Sequence, residues 1–126
     1  MGLGSQLICM WDSVSGSDLA AFLKHCHTVL KPFLLIPSEI PLAIIETAEH
    51  GKPVITTGPG GTGYFSQQFG LMVSPGGSTE LADAMKRLLT DKKLYKQKCD
   101  SAKKIYGMHP TWDEVAQKWL SLGTRS

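Results

Sequence analysis

No run of apolar residues in this chain of 126 approaches the ~20 that a membrane-spanning helix needs, so an integral membrane segment is excluded. Charge is sparse: only 19% of residues are charged, with 13 Lys and Arg against 11 Asp and Glu. The resulting net charge of +2 is too weak a footprint for nucleic acid, which is not an expected partner. Cysteines number three, and Cys9, Cys26 and Cys99 lie far apart. An odd, scattered set excludes a disulfide framework and fits a reduced cytoplasmic protein. Met1–Ser5 offers no basic region leading into an apolar one, so no secretory signal is read. His25-Cys26-His27 is the nearest approach to a metal-ligand cluster. Consecutive helical residues point about 100° apart, so the three cannot converge on one ion, and no metal site is expected. Cys26 is expected in the core.

What is present is an ordinary globular composition, 42% hydrophobic. That is enough for a core and short enough for one domain over residues 1–126. Leu7–Trp11, Phe33–Ile36, Val54–Thr57 and Leu71–Val73 read as short buried strands. Between them lie helical patterns. Ser15–Asp18 starts one that carries Leu19, Phe22, Leu23, Cys26 and Leu30 on one face. Pro41 starts another with Leu42, Ile44, Ile45 and Ala48, closed by Gly51. After Pro75-Gly76-Gly77 the chain is helical, with a break at Thr90-Asp91 and a capping box at Thr111–Glu114 opening the last helix. Trp112, Val115, Trp119 and Leu122 line one side of that helix.

Strands alternating with helices predict right-handed βαβ units and a parallel sheet. The expected fold class is α/β, a Rossmann-like three-layer sandwich with about four strands. Ligands in such sheets sit at the carboxyl ends of the strands, against helix N-termini. Two loops fall there, Pro37–Pro41 and Gly58–Tyr64. Glu39 and Glu46 bracket the start of the second helix; a carboxylate can accept hydrogen bonds from two vicinal hydroxyls, and the helix N-terminus suits a diphosphate. Both also read as solvated helix charges. Gly58-Pro59-Gly60-Gly61 lets backbone approach a ligand, or simply turns the chain. It matches neither a Walker A loop nor G-x-G-x-x-G.

In order, Pro37-Ser38-Glu39-Ile40-Pro41-Leu42, Glu46-Thr47-Ala48, Gly51-Lys52-Pro53-Val54-Ile55, Gly60-Gly61, Gly70–Pro75, Leu81–Met85 with Leu88–Asp91, and Thr111-Trp112 make a specific series. It resembles the C-terminal donor-binding lobe of glycosyl transferases group 1, retaining enzymes of the GT-B fold, over roughly residues 14–122. The resemblance implies one half of a GT-B fold binding a nucleoside-diphosphate sugar, with no cofactor. It implies that Glu46 accepts the ribose hydroxyls and that Glu39, the catalytic candidate, sits by the donor hexose. The amides of Leu42 and Ala43 would face the diphosphate, Ser38 and Pro41 would line the same substrate-binding site, and Gly60 and Gly61 match the family's glycine turn. Departures are evident. Glu39 and Glu46 are one residue closer than the family's glutamate pair, and two residues between Ser38 and Glu39 are missing. Tyr64 stands where the family often has Glu. The basic diphosphate clamp and the acceptor-binding lobe are not in this sequence.

The expected function is therefore the donor lobe of a glycosyltransferase acting with retention, inactive without a separate acceptor-binding lobe. The rival is a non-catalytic Rossmann-like module binding a nucleotide or a protein. Exposed parallel edges tend to pair, so a homo-oligomer is expected.

Overall fold

The computed structural model describes residues 12–35, 40–58 and 60–124. Among these, three strands form one parallel sheet in the order β1-β2-β3, with β1 Val29–Lys31, β2 Val54–Thr57 and β3 Gly70–Val73. Register runs Val29 to Val54 and Leu30 to Ile55 on one side, Val54 to Gly70 and Thr57 to Val73 on the other. Helices α1 (Gly16–His25), α2 (Leu42–Glu49), α3 (Gly61–Ser66), α4 (Ser78–Thr90), α5 (Lys92–Gly107) and α6 (Trp112–Gly123) complete the fold.

Alternation along β2 builds the layers. Val54 joins Ile44 and Ala48 of α2, Phe69 and Ala102 of α5 in one buried cluster. Ile55 joins Val73 of β3 with Ala84 and Leu88 of α4 in another. Successive strand side chains face opposite sides of the sheet, so the clusters form two helix layers flanking it. Helix α5 serves both, with Ala102 and Ile105 against the first and Leu94 against the second.

The helix punctuation follows the sequence chemistry. Ser15 caps α1 by accepting from the Asp18 N–H at 3.2 Å. Gly51 takes a positive φ of 62° and its N–H bonds the Ala48 carbonyl at 2.9 Å, closing α2. Asp91 marks the break between α4 and α5 and accepts from the Leu94 N–H at 2.9 Å. At α6, Glu114 accepts from the Thr111 N–H at 2.7 Å while Thr111 accepts from the Glu114 N–H at 3.2 Å.

Several expectations are corrected. The strand placed at Phe33–Ile36 is β1, at Val29–Lys31, earlier in the chain. The physical reason is Pro32, which has no N–H to continue the ladder, together with an earlier end to α1. Cys26 is already extended and Leu30 belongs to the strand, not the helix. Leu34 and Leu35 are consequently exposed, Leu35 by 88%. Cys26 is half-buried rather than central. The glycine stretch is not all loop, since Gly61, Thr62 and Gly63 open α3. A Cβ on Gly63 would stand 3.3 Å from the Gly58 Cα, so bare backbone is what lets α3 start so close to the end of β2. The strand expected at Leu7–Trp11 lies outside the described residues, among which three strands are present.

Candidate functional site

Parallel strands place their three outgoing connections along one edge of the sheet. From Lys31 the chain runs toward α2, from Thr57 into α3, and from Val73 through Ser74–Gly77 into α4. The segment after β1 is pinned onto β2 by two buried threonines. Thr56 Oγ1 donates to the Lys31 carbonyl at 2.7 Å and Thr57 Oγ1 to the Phe33 carbonyl at 2.8 Å. Beside it, Pro32, Leu34, Ser74, Gly76, Gly77 and Leu81 enclose much of a cavity of about 170 Å³. The far wall is held by Glu80, whose carboxylate accepts from the Ser74 N–H at 2.8 Å.

Helix α2 opens on this same edge. Pro41 is its N-cap, one position earlier than expected, and offers no side-chain cap. The Ile44 N–H reaches back to the Pro41 carbonyl at 2.9 Å, while those of Leu42 and Ala43 donate to no described residue. They are the orphan donors that every helix start carries, at the positive end of its dipole. Glu46 lies one turn further along. Its side chain is half-buried, and its carboxylate has no hydrogen bond or ion pair with a described residue. The face that anchors α2 is Ile44, Thr47 and Ala48, all fully buried. Leu42, expected on that face, is exposed and Ile45 is half-buried. Thr47 closes its own hydroxyl on the Ala43 carbonyl at 2.6 Å, so it is satisfied within the helix.

Gly60 is the N-cap of α3 with φ 116°, a backbone conformation that favours glycine, and Gly61 is the first helical residue. The Tyr64 N–H returns to the Gly60 carbonyl at 3.0 Å, and the Tyr64 ring is largely exposed. Thus Pro41, Leu42 and Ala43 head one helix and Gly60 and Gly61 head the next, both on the carboxyl edge. Ser38 and Glu39 lie outside the described residues.

Sequence reasoning missed Thr56, Thr57 and Glu80 as the groups that shape this edge. A β-branched hydroxyl residue in a strand signals only a strand, and which carbonyl it will meet depends on the neighbouring register. It weighed His27 only as a metal ligand, whereas its Nε2 lies 3.0 Å from the Leu88 carbonyl and its ring stacks on Tyr95 with centroids 3.9 Å apart. That stack is structural, joining the end of α1 to α5.

A parallel α/β half-lobe with glycine and helix-start loops on its carboxyl edge is one half of a GT-B fold. Solved structures support that architecture. Sucrose-phosphate synthase from Thermosynechococcus elongatus superposes with a TM-score of 0.78 at 21% identity, over 98% of this chain and 32% of that one. HepE from Anabaena, solved in complex with UDP, gives 0.73 at 20% identity over 83% of this chain and 29% of its own. Its complex with UDP-glucose gives 0.72. The chain spans about a third of the length of these solved neighbours. No curated protein matches the sequence. The sequence model of glycosyl transferases group 1 matches residues 2–91, and the chain belongs to that family. No described helix is long and apolar enough to cross a membrane.

Proposed function

We propose that residues 1–126 form the donor-binding lobe of a retaining glycosyltransferase, which takes a nucleoside-diphosphate sugar and needs a separate acceptor-binding lobe for transfer. The observation that carries this reading is Glu46: a glutamate at a half-buried position, its carboxylate without a described partner, one turn into a helix whose first N–H groups open on the sheet's carboxyl edge. The carboxylate's acceptor capacity is unused by described residues, and two vicinal ribose hydroxyls donating to it would form charge-assisted hydrogen bonds. In this reading the Leu42 and Ala43 amides face the diphosphate, with Ser38 and Pro41 beside them. Gly60 and Gly61 let backbone come close, and Glu39 lies by the hexose as the catalytic candidate. HepE, similar in fold, was solved with UDP and with UDP-glucose, which supports this ligand class. A cytoplasmic location suits the scattered cysteines.

A second reading, a non-catalytic nucleotide- or protein-binding module, draws on the close Glu39–Glu46 spacing and the exposed Leu34 and Leu35. Calorimetry and ligand-observed NMR with UDP, GDP and ADP sugars separate the two. Losing a carboxylate that accepts charged hydrogen bonds costs roughly 1.5–3 kcal/mol each, about ten- to a hundredfold in affinity. Glu46→Gln is therefore expected to weaken binding at least ~10-fold with little change in melting temperature, and Glu39→Gln to do little. No binding by the unmutated chain would favour the second reading. Unaltered binding in both variants would place the ribose elsewhere.

A further inference from the structure

Strand β3, one of the two edge strands among the described residues, has an open side. β3 pairs with β2 along one edge, and among the described residues no strand pairs with the other. Such an edge carries N–H and C=O groups that seek partners. Here it is neither bulged nor capped by proline, and Met72 at its middle is 36% exposed. An open groove of about 460 Å³ runs beside it, with α4 as one wall and Lys98 of α5 at one end.

The groove is electrically polarised along the strand. Glu80 lies at the carboxyl end of β3, where it accepts from the Ser74 N–H. Asp83 follows one turn along α4 and Arg87 one turn beyond that. Lys98 closes the amino end, donating to the carbonyls of Gln67 and Gln68 at 3.2 and 3.4 Å, just before the strand begins. Burial and the nearby Arg87 guanidinium hold the Lys98 ammonium below the usual lysine range, in keeping with cationic crowding at that end. Among the described residues the one ion pair is Lys96–Asp100, so Asp83, Arg87 and Lys98 have no ionic partner.

We propose that this edge is a two-fold self-association surface, on which β3 of a second copy adds antiparallel to β3. Antiparallel addition sets the amino end of one strand against the carboxyl end of the other. The two-fold axis then brings Arg87 and Lys98 of each copy toward Glu80 and Asp83 of its partner, and does so twice. Parallel addition about a two-fold along the strand would put the two α4 helices on opposite faces and leave their charges unmatched, so charge favours the antiparallel form. The surface touches the carboxyl edge only through Glu80, which braces Ser74 there, and the inference does not depend on donor binding.

Sedimentation equilibrium and light scattering of the full chain, without nucleotide, test it. The expected result is a concentration-dependent dimer. Asp83→Arg and Arg87→Asp each oppose like charges across the axis and are expected to raise the dimer dissociation constant at least tenfold. Both sites are exposed, so far-ultraviolet circular dichroism should match that of the unmutated chain. An equimolar mixture of the two variants restores opposite charges and should form a heterodimer as tight as the original dimer. A monomer at millimolar concentration, a dimer indifferent to either substitution, or a mixture that stays monomeric would overturn the proposal.

Discussion

Replacing Gly70 with alanine pits two effects against each other, and the structure decides the winner. In an unfolded chain alanine has less freedom than glycine, which by itself stabilises the fold by ≈0.4–1 kcal/mol. Gly70 opens β3 directly opposite Val54. A Cβ there would lie 2.5 Å from the Val54 carbonyl oxygen, 2.8 Å from its Cγ1 and 3.0 Å from the Ser66 carbonyl. Two of these neighbours are backbone, so no flexible side-chain end can swing away. Either β3 separates from β2 or the Val54 peptide tilts, and Val54 belongs to the buried cluster with Phe69 and Ala102. Overpacking of this kind costs typically 1–3 kcal/mol. Less the unfolded-chain gain the net cost is about 1–2 kcal/mol, and with melting shifts of roughly 3–5 °C per kcal/mol for a domain of this size, Gly70→Ala should melt about 3–10 °C lower. Gly107→Ala is the internal control. It sits in the last turn of α5 with negative φ and no heavy atom near its Cβ position. Alanine there should raise stability by about 0.5 kcal/mol. Thermal and urea unfolding followed by circular dichroism reads both signs. A Gly70→Ala protein as stable as the original would refute the claim that glycine is required at the mouth of β3.

Two further outcomes concern titration. Tyr95 donates its hydroxyl to the His27 carbonyl at 3.0 Å, and burial, then its hydrogen bond with Cys99, push its pKa up to about 12. Because the folded state holds this proton above the ordinary value near 10, stability should fall as pH rises from about 10 toward 12. Tyr95→Phe should keep the stack on His27, cost about 1 kcal/mol at neutral pH, and remove that alkaline decline in urea unfolding. Glu114 is held below its ordinary 4.5 by the Thr111 N–H and then by the Thr111 hydroxyl. A depressed carboxyl stabilises above its unfolded pKa and ceases to as pH falls through the folded one. The start of α6 should therefore fray below about pH 4.5 in amide NMR spectra, and Glu114→Gln should abolish that acid dependence.

Local chemistry made much of the fold legible. β2 and β3 are short apolar runs bounded by proline and glycine, and they lie where their patterns end. Asp91, Gly51 and the Thr111–Glu114 box act within a few residues of themselves, so their spacing alone predicts them. The errors share one origin, contacts distant in sequence. Phe33-Leu34-Leu35-Ile36 outweighs Val29-Leu30 in apolarity, yet the ladder stops at Pro32 because the strand needs a backbone donor opposite β2. α3 was hidden because Gly61 and Gly63 are poor helix formers. Its start depends on close approach to Gly58, a tertiary fact that overrides propensity.

The misplaced strand also changes how the candidate site should be judged. With β1 ending at Ile36, Glu39 would lie on a strap of a few residues, and the deletions relative to the family would pull it directly from the sugar. With β1 ending at Lys31, the connection to Leu42 runs from Pro32 to Pro41. An extended chain covers ~3.3–3.6 Å per residue, so that length absorbs a three-residue deficit without dislodging α2. Glu46 depends on a different anchor, the burial of Ile44, Thr47 and Ala48 beneath it. Glu46 is thus held by the helix core and not by the connection that carries Glu39 in the sequence. Under the proposed reading, the ribose contact at Glu46 and the hexose contact at Glu39 would change separately. Nucleotide affinity and sugar selectivity should therefore respond to separate substitutions.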